Sequence, residues 1–261
     1  MRFDMTKKEI KELLEKYGLQ IIEIHDSIGS TNNRAIEICS EKEIDLGIVI
    51  TGHQTSGRGR GVKKWEMKAG SGIALSIILG NTILYKNALG RMSGIGALAV
   101  VRAIETITGL HPKIKWPNDV LINGKKVCGI LTEANWLGHE LKSLVLGIGI
   151  NVTKEAIPDI VDFPATAIEI ESHKEINPGK LLDLIIFNLL DLLKQADDNQ
   201  IIAEWEDCLL YKNKGVQIFK GNEMLGSGIL LGLDDSGGIV IEMDENGKDI
   251  FYYGDVHLIV K

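Results

Sequence analysis

Between Gln54 and Trp65 the chain reads Gln-Thr-Ser-Gly-Arg-Gly-Arg-Gly-Val-Lys-Lys-Trp. Residues 58 to 68 hold five cations against one glutamate, inside a chain whose net charge is −7. Neighbouring guanidinium and ammonium groups repel one another unless water or an anion lies between them. Gly57, Gly59 and Gly61 let the backbone turn freely and bring its N–H groups close to a ligand. The chemistry this suits is capture of an anion, and the alternative is a solvated basic loop. It is not a Walker loop, because GxxxxGK[ST] is absent.

A second cluster is Lys115-Trp116-Pro117-Asn118-Asp119. Strand alternation puts Ile114 and Trp116 on one face and Lys113 and Lys115 on the other. Pro117 ends the strand, so Lys115 stands near its tip with Asn118 and Asp119 just beyond. The pair of lysines is either an ordinary exposed face or a cation fixed on a rigid element. Ser30-Thr31-Asn32 is a helix N-cap by residue type, and the same groups can hydrogen-bond a small polar ligand. Gly147-Ile148-Gly149-Ile150-Asn151 ends an apolar strand whose glycines admit either a ligand or a neighbouring backbone. The six histidines form no HExxH or HxxxH pattern, and no GxSxG elbow supports a hydrolase triad.

These segments need elements to hold them. Thr6 and Glu9 have capping-box spacing before a short amphipathic helix that ends near Gly18. A strand over 19–25, a helix over 33–41 and a buried strand over 46–51 follow. Residues 52–71 read as a loop, 72–79 as a strand, and 93–108 as a helix stopped by Gly109. Residues 113–116 read as a short strand. Asn123-Gly124 between Val120–Ile122 and Val127–Leu131 is a hairpin signal, and 143–152 is a further strand. Asn177-Pro178 starts a long buried helix over 178–196.

After about Tyr211 helical periodicity vanishes. Five short strands, parted by Gly221-Asn222, Asp234–Gly238 and Asn246-Gly247, suggest a small β-barrel. The expected fold is therefore α+β, with a mixed β-sheet domain flanked by helices over 1–210 and a small C-terminal β-barrel domain over 211–261.

The whole-chain numbers narrow the function classes. The 261 residues fit one or two domains, and 44% hydrophobic with 25% charged residues excludes a low-complexity chain. The acidic balance argues against a globally electrostatic nucleic-acid binder. Cys39, Cys128 and Cys208 lie far apart and form neither a CxxC pair nor metal spacing, which suits a reducing compartment. The charged N-terminus has no apolar signal region, and no apolar run reaches the ~18 residues of a membrane span. A cytoplasmic protein that binds no membrane is expected.

Taken together, Ser30-Thr31-Asn32, Gln54 with Gly57-Arg58-Gly59-Arg60 and Trp65, Lys115–Asp119, Gly129-Ile130-Leu131-Thr132-Glu133 and Gly149-Ile150-Asn151 resemble the biotin protein ligases. The likeness runs over about residues 20 to 205. It implies activation of biotin by ATP to biotinyl-5'-AMP, with pyrophosphate released, then transfer to a lysine of a biotin carboxyl carrier protein. By the same resemblance Ser30, Thr31, Asn32, Gln54, Gly57, Arg58, Gly59, Arg60, Lys115 and Gly129 contact biotin. Arg58, Arg60, Trp65, Lys115, Asn118 and Asn151 contact ATP, and Lys115 and Arg60 are the catalytic residues. Mg²⁺ is expected with ATP, its protein ligands unassigned; Asp119 is a contact on which no role is placed.

The chain departs from the family pattern at Val62 and Lys63, where Gly-Arg is common, which puts the closed shape of the loop in question. Some family members carry an N-terminal DNA-binding domain. The 29 residues before Ser30 hold one helix and one strand, so no DNA binding and no repressor activity are expected. A homodimer through sheet edges is a further implication of the resemblance. Lipoate-type acyl ligation and non-catalytic biotin or nucleotide binding are the competing functions.

Overall fold

The computed structural model describes residues 6–80, 86–158, 163–195, 198–221, 223–244, 247–252 and 256–260. Asn222 and Asn246, the turn residues expected between C-terminal strands, lie outside these, as do residues 1–5 and Ala196.

The chain opens with α1 (Lys7–Glu15). The Thr6 hydroxyl accepts from Glu9 N at 3.3 Å, and Glu9 Oε2 accepts from Thr6 N at 2.6 Å, so the capping box is closed. Then come β1 (Ile21–His25), α2 (Thr31–Glu41), β2 (Leu46–Thr51) and β3 (Gly72–Leu79). Helix α3 (Met92–Thr108) ends on Gly109, whose φ of 78° is the left-handed cap the sequence calls for. Strands β4 (Lys113–Lys115), β5 (Asp119–Ile122), β6 (Lys125–Leu137) and β7 (Glu140–Asn151) complete the sheet. Asn123 (φ 51°) and Gly124 (φ 75°) make the tight β5–β6 turn that Asn-Gly favours.

The seven strands run β1-β2-β3-β7-β6-β5-β4. Strands β1 and β2 pair parallel and every other pair is antiparallel, so the sheet is mixed, as expected. Helices α4 (Ile168–Ser172), α5 (Pro178–Lys194) and α6 (Asp198–Cys208) follow. The sequence reading finds α5 with its Asn177 cap but misses α6, and it starts α2 two residues late at Asn33. Ser30 is the N-cap, so Thr31 and Asn32 belong to the first helical turn.

The two faces of the sheet are unlike, and the period of two explains why. On β3, Ile73, Leu75, Ile77 and Leu79 enter the main core with α3 and α5, while Ala74, Ser76 and Ile78 belong to the opposite face. On β7, Leu144, Leu146, Ile148 and Ile150 enter that same core, leaving Val145, Gly147 and Gly149 opposite. Helix α2 covers part of this second face through Ala35 and Ile38 against Val49, Ile78 and Val145. Where the strands carry Gly147, Gly149 and Gly129 instead of apolar side chains, the face is left hollow.

The C-terminal strands β8 (Gly215–Lys220), β9 (Glu223–Leu233), β10 (Ile239–Met243), β11 (Gly247–Phe251) and β12 (Val256–Val260) form a separate antiparallel sheet, ordered β11-β10-β9-β8-β12. It docks on α3, α6 and the turn after β4 through specific contacts. Trp116 Nε1 donates to Gly237 O at 2.9 Å, and Leu233 N donates to Glu206 Oε1 at 2.7 Å. Trp205 is fully buried, and Gly94 and Gly237 leave the room its ring fills. No helix among the described residues is long and apolar enough to cross a membrane.

Candidate active site

A cavity of about 1150 Å³ lies over the glycine-lined part of the sheet, between α2, the basic loop and the C-terminal sheet. Its floor is backbone. Gly129 and Gly149 face each other across β6 and β7. A Cβ on Gly149 would fall inside the Trp65 indole, and one on Gly147 inside the Asn32 carboxamide. A Cβ on Gly129 would stand 3.1 Å from Trp65 Cζ3 and 3.2 Å from Lys126 Nζ. These glycines therefore admit close neighbours at the strand surface.

One end of the cavity is a neutral hydrogen-bonding pocket. Gln54 Oε1 accepts from Thr31 N at 2.8 Å and from the Thr31 hydroxyl at 3.2 Å. Among the described residues its amide nitrogen has no protein partner. Ser76 Oγ lies 2.8 Å from Thr31 Oγ1 and 2.5 Å from Asn32 Oδ1. Asn32 Nδ2 donates to Glu133 Oε2 at 2.8 Å and to Leu131 O at 3.3 Å. Both polar ends of Asn32 are thus used within the protein, which makes it scaffold for Ser30 and Thr31.

The other end is cationic. Lys115, at the tip of β4, is half-buried with its Nζ 4.1 Å from the centre of the Phe163 ring. Burial pushes its ammonium below the ordinary lysine value; Asp119 opposes this, and Lys126 and Lys63 add to it. Lys126 Nζ, 2.7 Å from Asp119 Oδ1, hangs over Gly129 and lies 5.6 Å from the centre of the Trp65 ring. Asn118 is locked to β6: its Nδ2 donates to Ile130 O at 2.9 Å, and its own O accepts from Ile130 N at 2.8 Å.

The basic loop closes over both ends as an irregular hairpin. Trp65 N donates to Gly57 O at 3.0 Å, and Gly59 N to Lys63 O at 2.8 Å. A Cβ on Gly57 would collide with Trp65 O, so this crossing needs a glycine. The turn is made by Gly61 at φ 63°, while Val62 is fully exposed and has no positive φ. Loss of a glycine at 62 therefore does not strain the loop.

Of the residues singled out in the sequence, Ser30, Thr31, Asn32, Gln54, Arg58, Gly59, Arg60, Trp65, Lys115, Asn118 and Gly129 line this one cavity. Gly57 and Asn151 do not. Gly57 supports the loop from behind, and Asn151 is buried with its Nδ2 donating to Thr166 O at 3.1 Å. Lys126, Phe163 and Tyr211 line the cavity and escape the sequence reading. So do Lys220, Glu223 and Leu258 from the C-terminal sheet.

Comparison with known proteins identifies the family. Residues 25–151 match the biotin/lipoate A/B protein ligase family. The bifunctional ligase/repressor BirA of Bacillus spizizenii is 33% identical over 240 residues, covering 89% of this chain and 72% of that protein. The chain belongs to the biotin protein ligase family. A biotin--[acetyl-CoA-carboxylase] ligase of Mycobacterium tuberculosis is 34% identical over 155 residues, 58% of this chain and 56% of that one. The structure titled as the Aquifex aeolicus biotin protein ligase in complex with biotin and ATP superposes with a TM-score of 0.79 at 28% identity. It covers 93% of this chain and 100% of that one. Membership makes the chain a ligase and accounts for the mixed sheet joined to an antiparallel C-terminal sheet.

Proposed function

We propose that this ligase activates biotin with ATP and transfers it to a lysine of a biotin carboxyl carrier protein. The observation that carries the reading is the convergence of Lys115 and Lys126 on a glycine floor, roofed by an Arg-rich loop, beside a neutral pocket. A biotin carboxylate oxygen attacks the α-phosphorus of ATP. The bond from that phosphorus to the bridging oxygen breaks, and pyrophosphate leaves with the electron pair. The carrier amine then attacks the acyl carbon, the acyl–oxygen bond breaks, AMP departs, and the amine loses its proton.

Each part of the cavity fits one demand of that sequence. A ureido ring needs paired donors and acceptors, which Ser30, Thr31 and the Gln54 amide supply. The carboxylate must approach an anionic triphosphate. At 4 Å and an effective dielectric near 20, one opposite charge is worth about 4 kcal/mol before desolvation. Lys115, Lys126 and Arg60 around one point offset the repulsion and stabilise the charge that develops in transfer. Trp65 and Asn118 take the ATP side, while Asn151, buried against Thr166, stays outside the cavity lining, and loop closure keeps water from the mixed anhydride. The C-terminal sheet's Lys220 and Glu223 give the carrier or ATP a second wall, in keeping with a division of the chain near residue 211.

No group of three His, Cys, Asp or Glu among the described residues could hold a metal, and Asp119 is already paired with Lys126. Mg²⁺ accordingly fits as the counter-ion of ATP, held by phosphates. DNA binding is left out of the proposal, since the net charge of −7 provides no global basic field. A homodimer through sheet edges remains part of it, with the outer edge of β1 as the candidate because Leu209 and Leu210 cover that of β4, and with light scattering as its check.

The test is biotin-dependent exchange of labelled pyrophosphate into ATP without carrier. Exchange with biotin but not lipoate is the expected outcome. Exchange with lipoate alone would mean the sister chemistry, and biotin binding without exchange a non-catalytic binder.

A pH dependence follows from Lys115. Its charged form is the one that meets the anion, and burial lowers the pKa of that form. Activity is therefore present at lower pH and lost as pH rises through a pKa below the ordinary 10.5. Lys115→Arg is expected to move the alkaline limb of the exchange rate upward, because a guanidinium stays charged. An unmoved limb would assign it to another group.

A further inference from the structure

Glu133 stands at the meeting point of the two ends of the site, outside the cavity lining. It lies on β6, opposite Val145 of β7. One carboxylate oxygen, Oε2, accepts from Asn32 Nδ2 at 2.8 Å, and the other, Oε1, accepts from Arg58 Nη2 at 2.6 Å. The second terminal nitrogen of Arg58 donates to Asn33 Oδ1 at 2.7 Å. Glu133 is only about one-fifth exposed, while Arg58 is 42% exposed. The rigid partner is thus the strand carboxylate, and the guided one is the loop guanidinium.

From this geometry we infer that Glu133 is a positioning residue of the ligase reaction, holding Asn32 with one oxygen and Arg58 with the other. The inference rests on the proposed function and adds to it a residue that touches no substrate. Asn32 is the second residue of α2, next to Thr31, whose N–H and hydroxyl meet Gln54. Arg58 opens the stretch of loop that turns at Gly61. One partly buried anion therefore fixes the neutral pocket and the root of the basic loop to the same strand. A carboxylate does this with two charge-assisted or strong acceptors at once; a carboxamide of the same shape offers one oxygen.

The test compares Glu133→Gln, Arg58→Gln and the double variant. In biotin-dependent pyrophosphate exchange, Glu133→Gln is expected to raise the biotin KM about ten-fold with kcat within about three-fold, the pattern of lost binding rather than lost chemistry. The double variant should be no worse than the poorer single one, because both break the same link. The thermal midpoint should hold, showing that the fold survives. A second measurement needs no activity: trypsin should cut after Arg58 and Arg60 several-fold faster in Glu133→Gln than in wild type, the ligand-free loop having lost its anchor. A wild-type KM in Glu133→Gln, multiplicative effects in the double variant, or equal cleavage rates would overturn the inference. Absence of exchange in wild type would instead reject the ligase reading, and the cleavage rates would still decide on Glu133.

Discussion

Lys126→Met is expected to lower biotin-dependent pyrophosphate exchange by about 10²–10³-fold, the range for removing one preorganised group that faces developing charge. Lys126 Nζ would be 3.2 Å from a Cβ on Gly129, so it hangs directly over the floor between the neutral and the cationic ends. Asp119 holds it there at 2.7 Å. An arriving carboxylate and phosphate would compete with Asp119 for this ammonium without moving the strand. Lys115 stands farther toward Phe163, 4.1 Å from the ring centre, and lines the same cavity from β4, with β5 between it and β6. Lys115→Met is therefore expected to show a smaller loss, about ten-fold to a hundred-fold. The check is single-turnover exchange on both variants with biotin binding measured separately. Lys126→Met retaining more than about a tenth of the rate would return the main role to Lys115.

Why the sequence points to Lys115 and passes over Lys126 is a matter of strand parity. Counting back from Gly129 by simple alternation puts Lys126 on the face opposite the cavity. The β5–β6 register shifts between Val120 and Leu121: Val120 faces Cys128, while Leu121 faces Lys126. Val127 is the extra residue of this bulge, and Val127 and Cys128 both enter the main core in succession. A bulge reverses the face of everything beyond it, and no local sequence signal announces this one. Features governed by a few adjacent residues are legible: the Thr6–Glu9 box, the Asn123-Gly124 turn, the Gly109 stop and the Asn177 cap. Phe163 and Tyr211 sit in irregular connections, where periodicity carries no information about direction. The assembly of Ser30, Gln54, Arg58, Lys115 and Gly129 around one cavity was legible only through the family resemblance, since those residues come from four separate stretches of chain.

The glycine floor separates two substitutions of identical chemistry. Gly147→Ala is expected to destabilise the protein by about 2–4 kcal/mol, and Gly149→Ala by less than about 1 kcal/mol. Both glycines lie on β7 with their faces toward the cavity, and a Cβ on either would collide. The neighbours differ in what they can yield. Against Gly147 is the Asn32 carboxamide, buried and held by Ser76, Leu131 O and Glu133. Moving it breaks buried hydrogen bonds and drags the first turn of α2, which also carries Thr31. Against Gly149 is the indole of Trp65, half-buried at the end of the basic loop, its Nε1 without a hydrogen-bond partner among the described residues. The ring can slide outward and surrender only contact area. Chemical denaturation of the two variants measures the difference directly. Gly149→Ala should then reveal itself in ligand binding instead, because the moved Trp65 and the new methyl both intrude on the part of the cavity proposed to take ATP. Equal destabilisation by the two alanines would mean that Trp65 is as firmly seated as Asn32, and that the loop is rigid before any substrate arrives.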